Sequence, residues 1–196
     1  MSHLPTQRET RWLQTVLATL KQGPVPDSLA SLESLRDLLV PLAWAKGAPR
    51  ASAFLPDEEP DRFRRHPLAS VEALGCAALL MYWPPGHATL PHDHGGLWGI
   101  EIVIDGVLSV NEFVRIGEVT QPTLVPTRSL HLGIGDAALF HSGNYVHRCR
   151  NLSNATPTLT LHIYGGALTE YNAYTPEAPG RFSWSRQVAR DDFYLS

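Results

Sequence analysis

Cysteine is scarce in this chain: Cys76 and Cys149 are the two present in 196 residues. That excludes a disulfide framework and suits a reducing compartment, where both remain thiols. Long hydrophobic runs are missing as well. No stretch approaches the roughly 20 apolar residues of a membrane span, and the opening Met1-Ser2-His3-Leu4-Pro5-Thr6 lacks the charged-then-apolar order of a secretory leader. A cytoplasmic location is the expectation. Charge is low, at 18% of residues with a net of -3, and the basic cluster of note is Arg62, Arg64 and Arg65. This leaves nucleic acid or an anionic membrane little to bind, so a small molecule is the expected partner. The chain carries no signal of an oligomeric state.

Hydrophobic residues make up 43% of the chain, enough for one sizeable core and a single domain. Residues 1–47 read as helical. Leu13, Val16, Leu17 and Leu20 recur at helical spacing, with Gly23 placed to stop the run. Asp27 or Ser28 can cap a second helix with a stripe of Leu32, Leu35, Leu38, Leu39 and Leu42, which Pro41 is expected to end or kink. Such a stripe is core packing in most helices, so the two helices are expected to pad one side of the remaining chain.

From about residue 50 the texture becomes short apolar or alternating runs broken by Pro, Gly, Asn and Asp, the pattern of an all-β sandwich or barrel over residues 48–196. Strands are expected at 76–83, 97–104, 107–114, 129–132, 137–140, 145–150 and 157–164. The Asp105-Gly106 pair reads as a hairpin turn. Residues 51–67 read as a loop, and its Asp57-Glu58-Glu59 run as solvated surface. The tail from Ala173, with Tyr174, Phe182, Trp184, Phe193 and Tyr194, is expected to pack back onto the body.

The chemistry concentrates at His92-Asp93-His94 and, well downstream, His147. On extended backbone, side chains two apart share a face, so His92 and His94 form a clamp to which a third imidazole can be added. An isolated HxH pair is most often coincidence. Here Gly86 precedes the pair, Gly106 follows it, Gly135 and Gly143 precede His147, and Asn151 follows. These two glycine-anchored motifs resemble those of the cupin superfamily, which implies a double-stranded β-helix, or jelly-roll barrel, with the N-terminal helices packed on one side. Ordinary cupins add a Glu shortly after the second His. In that stretch this chain has Gly95, Gly96, Leu97, Trp98 and Gly99, and Glu101 comes too late for the usual register, so the site is expected to be three neutral imidazoles without a carboxylate. Such a site leaves a divalent charge uncompensated and three positions open, which suits iron with an anionic thiolate and dioxygen; it equally suits zinc with a bound water.

In the run 158–164, Leu159, Leu161 and Ile163 alternate with Thr160, His162 and Tyr164. A hydroxyl, an imidazole and a phenol therefore share one face, either as a satisfied structural trio or as working groups. With this row, the chain resembles the cysteine dioxygenase family of thiol dioxygenases. The residues that carry the likeness are Trp83-Pro84-Pro85-Gly86-His87, His92-Asp93-His94, His147 and Thr160-Leu161-His162-Ile163-Tyr164. The resemblance implies ferrous iron held by His92, His94 and His147, with Tyr164 beside the bound thiolate and oxygen and oriented by His162 and Thr160. It implies an arginine that grips the substrate carboxylate, in Phe63-Arg64-Arg65-His66, with Arg65 in the matching register and Arg64 one position away. Met81 and Trp83 would wall the pocket, a placement that packing alone also explains. The mammalian enzymes link a cysteine to the tyrosine; Gly99 stands there in this chain, so no crosslink is expected. Cys149 shares parity with His147 and is read as a small core residue.

The expected reaction is addition of both oxygen atoms to the sulfur of a small thiol carboxylate, L-cysteine to the sulfinate. A sibling activity on 3-mercaptopropionate or mercaptosuccinate is the near alternative. A non-catalytic metal-binding cupin, or a zinc or manganese cupin isomerase or hydrolase, is the alternative of another class.

Overall fold

A computed structural model describes residues 7–54, 61–71, 75–117, 122–178 and 180–191. Helix α1 (Gln7–Gln22) ends where Gly23 N–H bonds back to Thr19 O. Helix α2 (Leu29–Leu39) begins at Ser28, whose hydroxyl accepts from Ser31 N–H while the Ser31 hydroxyl accepts from Ser28 N–H, a reciprocal cap. Pro41 lacks an N–H, and the α-helical pattern gives way at Leu39 to a 3-10 turn, Val40–Trp44. Of the leucine stripe, Leu32, Leu35 and Leu39 are buried, Leu42 is half-buried and Leu38 is exposed. Among the described residues no helix is long and apolar enough to cross a membrane.

Ten strands complete the described chain: β1 (Arg64–Val71), β2 (Cys76–Trp83), β3 (Gly99–Asp105), β4 (Leu108–Ile116), β5 (Thr123–Leu132), β6 (Ala137–Phe140), β7 (Tyr145–Asn151), β8 (Thr158–Tyr164), β9 (Glu170–Ala178) and β10 (Arg181–Val188). They form antiparallel sheets in the orders β1-β2-β8-β3-β6, β5-β4-β7 and β10-β9. The expectation of a jelly-roll barrel is met in coarser form. The protein is mainly β with N-terminal helices, and no sheet closes on itself among the described residues.

Strand alternation builds two cores. One face of the five-stranded sheet presents Ala78, Leu80, Tyr82, Ile100, Ile102, Ile104, Leu159, Leu161 and Ile163 to Trp12, Val16, Leu20, Leu32, Leu35 and Leu39 of the helices. The opposite face presents Leu79, Met81, Trp83, Val103, Phe140 and Tyr164 to Leu108, Val110, Leu132 and Cys149 of the three-stranded sheet. Burying each such side chain contributes roughly 1.5–3 kcal/mol. The space between the sheets is where inward-pointing polar residues of β1, β3, β7 and β8 meet.

Several sequence expectations are corrected. Asp105-Gly106 is not a hairpin turn, because β3 pairs with β6 and β8 whereas β4 pairs with β5 and β7. The dipeptide carries the chain from one sheet to the other. Gly106 takes φ 87°, and a Cβ there would come within 2.5 Å of Thr158 Oγ1, the hydroxyl that accepts from Val107 N–H and donates to Val107 O to hold the corner. The supposed loop at 51–67 contains a 3-10 turn (Ala51–Phe54) and the start of β1, since Arg64 to Pro67 pair with Tyr82 to Leu79. Strand β5 begins at Thr123, earlier than its flanking Pro126 suggests, because Pro126 lies at a register shift on an edge strand. The acidic run 57–59 lies outside the described residues.

The tail is itself a pair of strands. Tyr174 is fully buried with Leu124 and Val146, and Phe182 and Trp184 pack against them, so β9 and β10 cover the outer face of the three-stranded sheet. Phe193 and Tyr194 lie outside the described residues. Asn151, fully buried, places Nδ2 2.9–3.2 Å from the carbonyls of Trp83, Pro84 and Thr156, and its Oδ1 accepts from Ser153 N–H and lies 3.0 Å from the Thr158 hydroxyl oxygen. It ties the ends of β2, β7 and β8 together at the rim of the inter-sheet space.

Candidate functional site

His92 and His94 are not on a strand. They lie on an extended segment joined by single bridges, His92 to His147 on one side and His92 to Ala173 on the other. Extended backbone still turns both imidazoles inward, and Asp93 between them turns outward into a socket. Its carboxylate is buried, accepting from Asn172 N–H at 3.0 Å, Asn172 Nδ2 at 2.9 Å, the Tyr174 hydroxyl at 2.8 Å and Gly95 N–H at 3.3 Å. Burial pushes the Asp93 carboxyl up and these four donors outweigh it, so it is held below its ordinary value. Strand β9 thus clamps the histidine segment, a role that nothing in the tail's aromatic composition advertises.

His92, His94 and His147 each offer a ring nitrogen, and these atoms all lie within 4.8 Å of one another. His92 Nδ1–H donates to Leu90 O at 2.9 Å, which leaves its Nε2 as a bare acceptor 3.2 Å from His147 Nε2. On the far side of His147, Nδ1 lies 3.4 Å from the Tyr145 hydroxyl. That hydroxyl donates to Glu112 Oε1 at 3.2 Å, and Glu112 is gripped by Arg128 through two hydrogen bonds of 2.7 and 2.9 Å. With the phenol proton committed to Glu112, the phenol oxygen accepts from His147 Nδ1–H and Nε2 is left bare. His94 is 3% exposed, and among the described residues neither of its ring nitrogens meets a hydrogen-bond partner. Burial pushes all three imidazoles below their ordinary 6.5, His94 and His147 well below it. Three neutral, converging nitrogens, one of them orphaned, are the donor chemistry of a divalent transition ion, so these residues fit a metal.

A polar row runs beside this centre on β8. Trp83 Nε1–H donates to Thr160 Oγ1 at 2.8 Å, Thr160 Oγ1 is 2.7 Å from His162 Nε2, and His162 Nδ1 is 3.0 Å from the Tyr164 hydroxyl. All three β8 residues are buried. Burial first, then the nearby Glu101 carboxylate, pushes the Tyr164 phenol well above its ordinary 10, so it keeps its proton.

Beside the three imidazoles lies a carboxylate, Glu101, which spacing along the chain puts out of register. On β3, Ile100, Ile102 and Ile104 face the helices, so Gly99, Glu101 and Val103 face inward, and Glu101 pairs across the sheet with His162. Its Oε1 lies 3.4 Å from His162 Nδ1 and 3.5 Å from His147 Nε2, and its Oε2 lies 4.0 Å from Cys149 Sγ. Glu101, His147 and Cys149 form a second group of potential donors sharing His147 with the first. Burial pushes the Glu101 carboxyl up, but the His147 and His162 imidazoles hold it below the usual carboxylate range. A charged residue alternating with isoleucines was the sequence signal; spacing counted from His94 missed it because strand parity decides which way a side chain points. Cys149 is buried as expected, yet it lines the cavity beside His147 rather than filling a remote core.

A cavity of about 370 Å³ joins these groups. Phe63, Arg65, Met81 and Trp83 line it with His92, His147, His162 and Tyr164. Arg65 pairs with Met81, which faces inward, whereas Arg64 pairs with Tyr82, which faces the helices; register therefore selects Arg65. Its Nη2 is 3.4 Å from Asp191 Oδ1. Phe63 stacks on His87 with centroids 5.2 Å apart and meets Trp83 edge-on at 4.7 Å. At Gly99, a Cβ would fall 2.1 Å from Phe140 Cζ. The Phe140 ring fills that space and stacks on His94 at 4.1 Å.

A family model described as cysteine dioxygenase type I matches residues 64–177, which include the three imidazoles and the row Thr160, His162 and Tyr164. No curated protein matches the chain. Among solved structures, KdgF from Halomonas sp. is similar at 21% identity over 56% of this chain and 82% of that one, with a TM-score of 0.41. An oxalate oxidase in complex with the substrate analogue glycolate is similar at 20% identity, with a TM-score of 0.43; the match covers 56% of this chain and 53% of the oxidase. Procruciferin, an 11S globulin from Brassica napus, is similar at 16% identity over 59% of this chain and 28% of that one, with a TM-score of 0.47.

Proposed function

Because the chain belongs to the cysteine dioxygenase type I family, we propose that it is an iron-dependent thiol dioxygenase converting a small thiol carboxylate, L-cysteine foremost, to its sulfinate with both atoms of dioxygen. The observation that carries this reading is the convergence of His92, His94 and His147 beside a cavity that His92, His147, His162 and Tyr164 line, with Thr160 linked to His162 behind it. Ferrous iron held by the three imidazoles would supply dioxygen binding and activation beside the substrate sulfur.

The remaining steps belong to the protein. Arg65 binds the substrate carboxylate through charge-assisted hydrogen bonds, supported by its place on the cavity wall. Phe63, Met81 and Trp83 form an apolar wall that excludes water and sets the orientation of the thiol. Trp83 occupies the Thr160 oxygen with its own N–H, so the Thr160 hydroxyl donates to His162 Nε2 and His162 Nδ1–H donates to the Tyr164 oxygen. That order leaves the Tyr164 O–H free to turn toward the cavity, where it would donate to the reacting sulfur or oxygen. The helices and the β region share one buried cluster, which supports reading residues 1–47 as a brace on a β domain of residues 48–196, the whole acting as one domain. In this proposal the two facing sheets are the open form of a cupin double-stranded β-helix, working in the cytoplasm, where small thiols stay reduced.

The test is oxygen uptake by the iron-loaded protein against a panel of small thiols, with mass analysis of the product. Uptake with L-cysteine and a product heavier by two oxygen atoms is the expected result; zinc in the isolated protein with no thiol-dependent uptake would replace this reading with a hydrolase or isomerase.

A further inference from the structure

Two of the converging imidazoles are held from behind by different means. His92 Nδ1–H meets a backbone carbonyl, Leu90 O, whereas His147 Nδ1 meets a side chain, the Tyr145 hydroxyl at 3.4 Å. Register brings that side chain its own support. Arg128 on β5, Glu112 on β4, His147 on β7 and His92 on the neighbouring segment pair successively in one cross-strand row. Tyr145 lies two residues before His147, on the same face of β7, and its hydroxyl reaches Glu112 Oε1 at 3.2 Å. Cys149 Sγ, the other group near His147 Nδ1, stands 3.7 Å away and is a weak acceptor.

Stability alone does not account for the burial of Glu112. It is 5% exposed, whereas its partner Arg128, on an edge strand, keeps 56% of its side chain in solvent. Replacing a buried ion pair with apolar side chains often leaves stability unchanged or higher. What the pair fixes is the direction of a proton. Gripped by two guanidinium hydrogen bonds, the carboxylate presents Tyr145 with an acceptor. The phenol O–H turns to Glu112, the phenol oxygen accepts from His147 Nδ1–H, and Nε2 keeps its lone pair for the metal position. Without Glu112 the same hydroxyl would donate to Nδ1, and the imidazole proton would sit on Nε2, where the ion must bind.

Resting on the dioxygenase reading above, we propose that Glu112 and Tyr145 are positioning residues that fix the tautomer of His147 and thereby decide how tightly the metal is held. Neither touches the ion. Groups that orient a ligating histidine typically change metal affinity by about 10- to 100-fold when removed.

The experiment reads the tautomer in the metal-free protein by nitrogen NMR of labelled histidine at mildly alkaline pH, where imidazoles are neutral. The His147 signals are assigned by their absence in His147→Gln. Ferrous-ion affinity is measured anaerobically by chelator competition in wild type, Tyr145→Phe, Glu112→Leu and the double variant. Tyr145→Phe keeps the ring that stacks on Phe140 at 4.8 Å, so it removes the hydroxyl alone. Wild-type His147 should carry its proton on Nδ1; a proton on Nε2 would overturn the proposal. Glu112→Leu should move that proton to Nε2 and weaken ferrous-ion binding roughly 100-fold, and Tyr145→Phe alone should weaken it roughly tenfold. Added to Glu112→Leu, Tyr145→Phe should recover about tenfold in affinity, because it takes away the misdirected donor. A merely structural ion pair predicts losses that add, and additive losses, or unchanged affinity in Glu112→Leu, would overturn the proposal. Should Glu112→Leu not fold, the wild-type tautomer and the Tyr145→Phe affinity decide, and an unchanged affinity there overturns it. Absence of oxygen uptake with every thiol would sink the dioxygenase reading instead, while the tautomer and the affinities still judge Glu112 and Tyr145.

Discussion

Trp83 Nε1 donates to the Thr160 hydroxyl at 2.8 Å, and this bond takes up one lone pair of the oxygen at the head of the row. An indole nitrogen can only donate, so the Thr160 oxygen accepts there, and its own proton is left for His162 Nε2, 2.7 Å away. Replacing Trp83 with Phe keeps an aromatic wall but frees the hydroxyl to turn. We expect turnover to fall roughly tenfold and stability by about 1 kcal/mol, with metal content unchanged. Steady-state oxygen uptake, a thermal melt and metal analysis together check this.

Tyr164→Phe removes the last proton of the row while leaving all three metal-binding imidazoles in place. The expected result is a roughly hundredfold lower kcat with iron still bound. If the variant loses its iron, the phenol is holding the metal and the assignment of roles fails.

Arg65 stands at the other end of the cavity. Arg65→Gln should chiefly raise KM, since a charge-assisted hydrogen bond contributes about 1.5–3 kcal/mol and its loss is a roughly ten- to hundredfold effect on kcat/KM. Arg64→Gln should do far less, because that side chain points toward the helices. The reverse ranking in a side-by-side kinetic comparison would mean that β1 is shifted by one residue.

Gly99 is occupied from above by Phe140. Gly99→Ala drives a methyl into the ring at 2.1 Å, so it should destabilise by about 1–3 kcal/mol and disturb His94, on which that ring stacks. Adding Phe140→Leu should recover much of the lost stability in a denaturant titration. A double variant no more stable than the single one would show that the clash is relieved elsewhere.

Metal-free protein should lose stability as the solution is acidified. Burial lowers the folded-state values of His92, His94 and His147 below 6.5, so below that pH the unfolded chain binds more protons than the folded one. Their contribution is complete above 6.5 and is lost as pH falls toward the folded values. Melting temperatures of the metal-free protein should drop from about pH 7.5 to about pH 5.5, and His94→Gln should flatten that slope. A slope that His94→Gln does not alter would place the acid sensitivity elsewhere.

Much of the site was legible in residue order. Alternation is local, so Thr160, His162 and Tyr164 had to share a face of β8 once that run was a strand, and His92 with His94 had to share one on extended backbone. The capped helices and the two-faced strands β2 and β8 follow from the same periodicities. The likeness to a family, carried by those motifs, also singled out Arg65 and Phe63.

Other features depend on which strand lies beside which. Asp105-Gly106 has the composition of a hairpin, yet pairing sends its two strands into different sheets, a choice made by non-local partners. Glu101 is out of range when counted along the chain from His94, and it enters the site because β3 lies against β8 in the register that sets it opposite His162. Asp93 owes its socket to β9, and His147 its orientation to Tyr145, Glu112 and Arg128 from three different strands. Local sequence determines the direction in which each side chain leaves its own backbone. Which groups then meet depends on packing between segments distant in the chain, because hydrogen-bond and charge partners are supplied only when those segments come together.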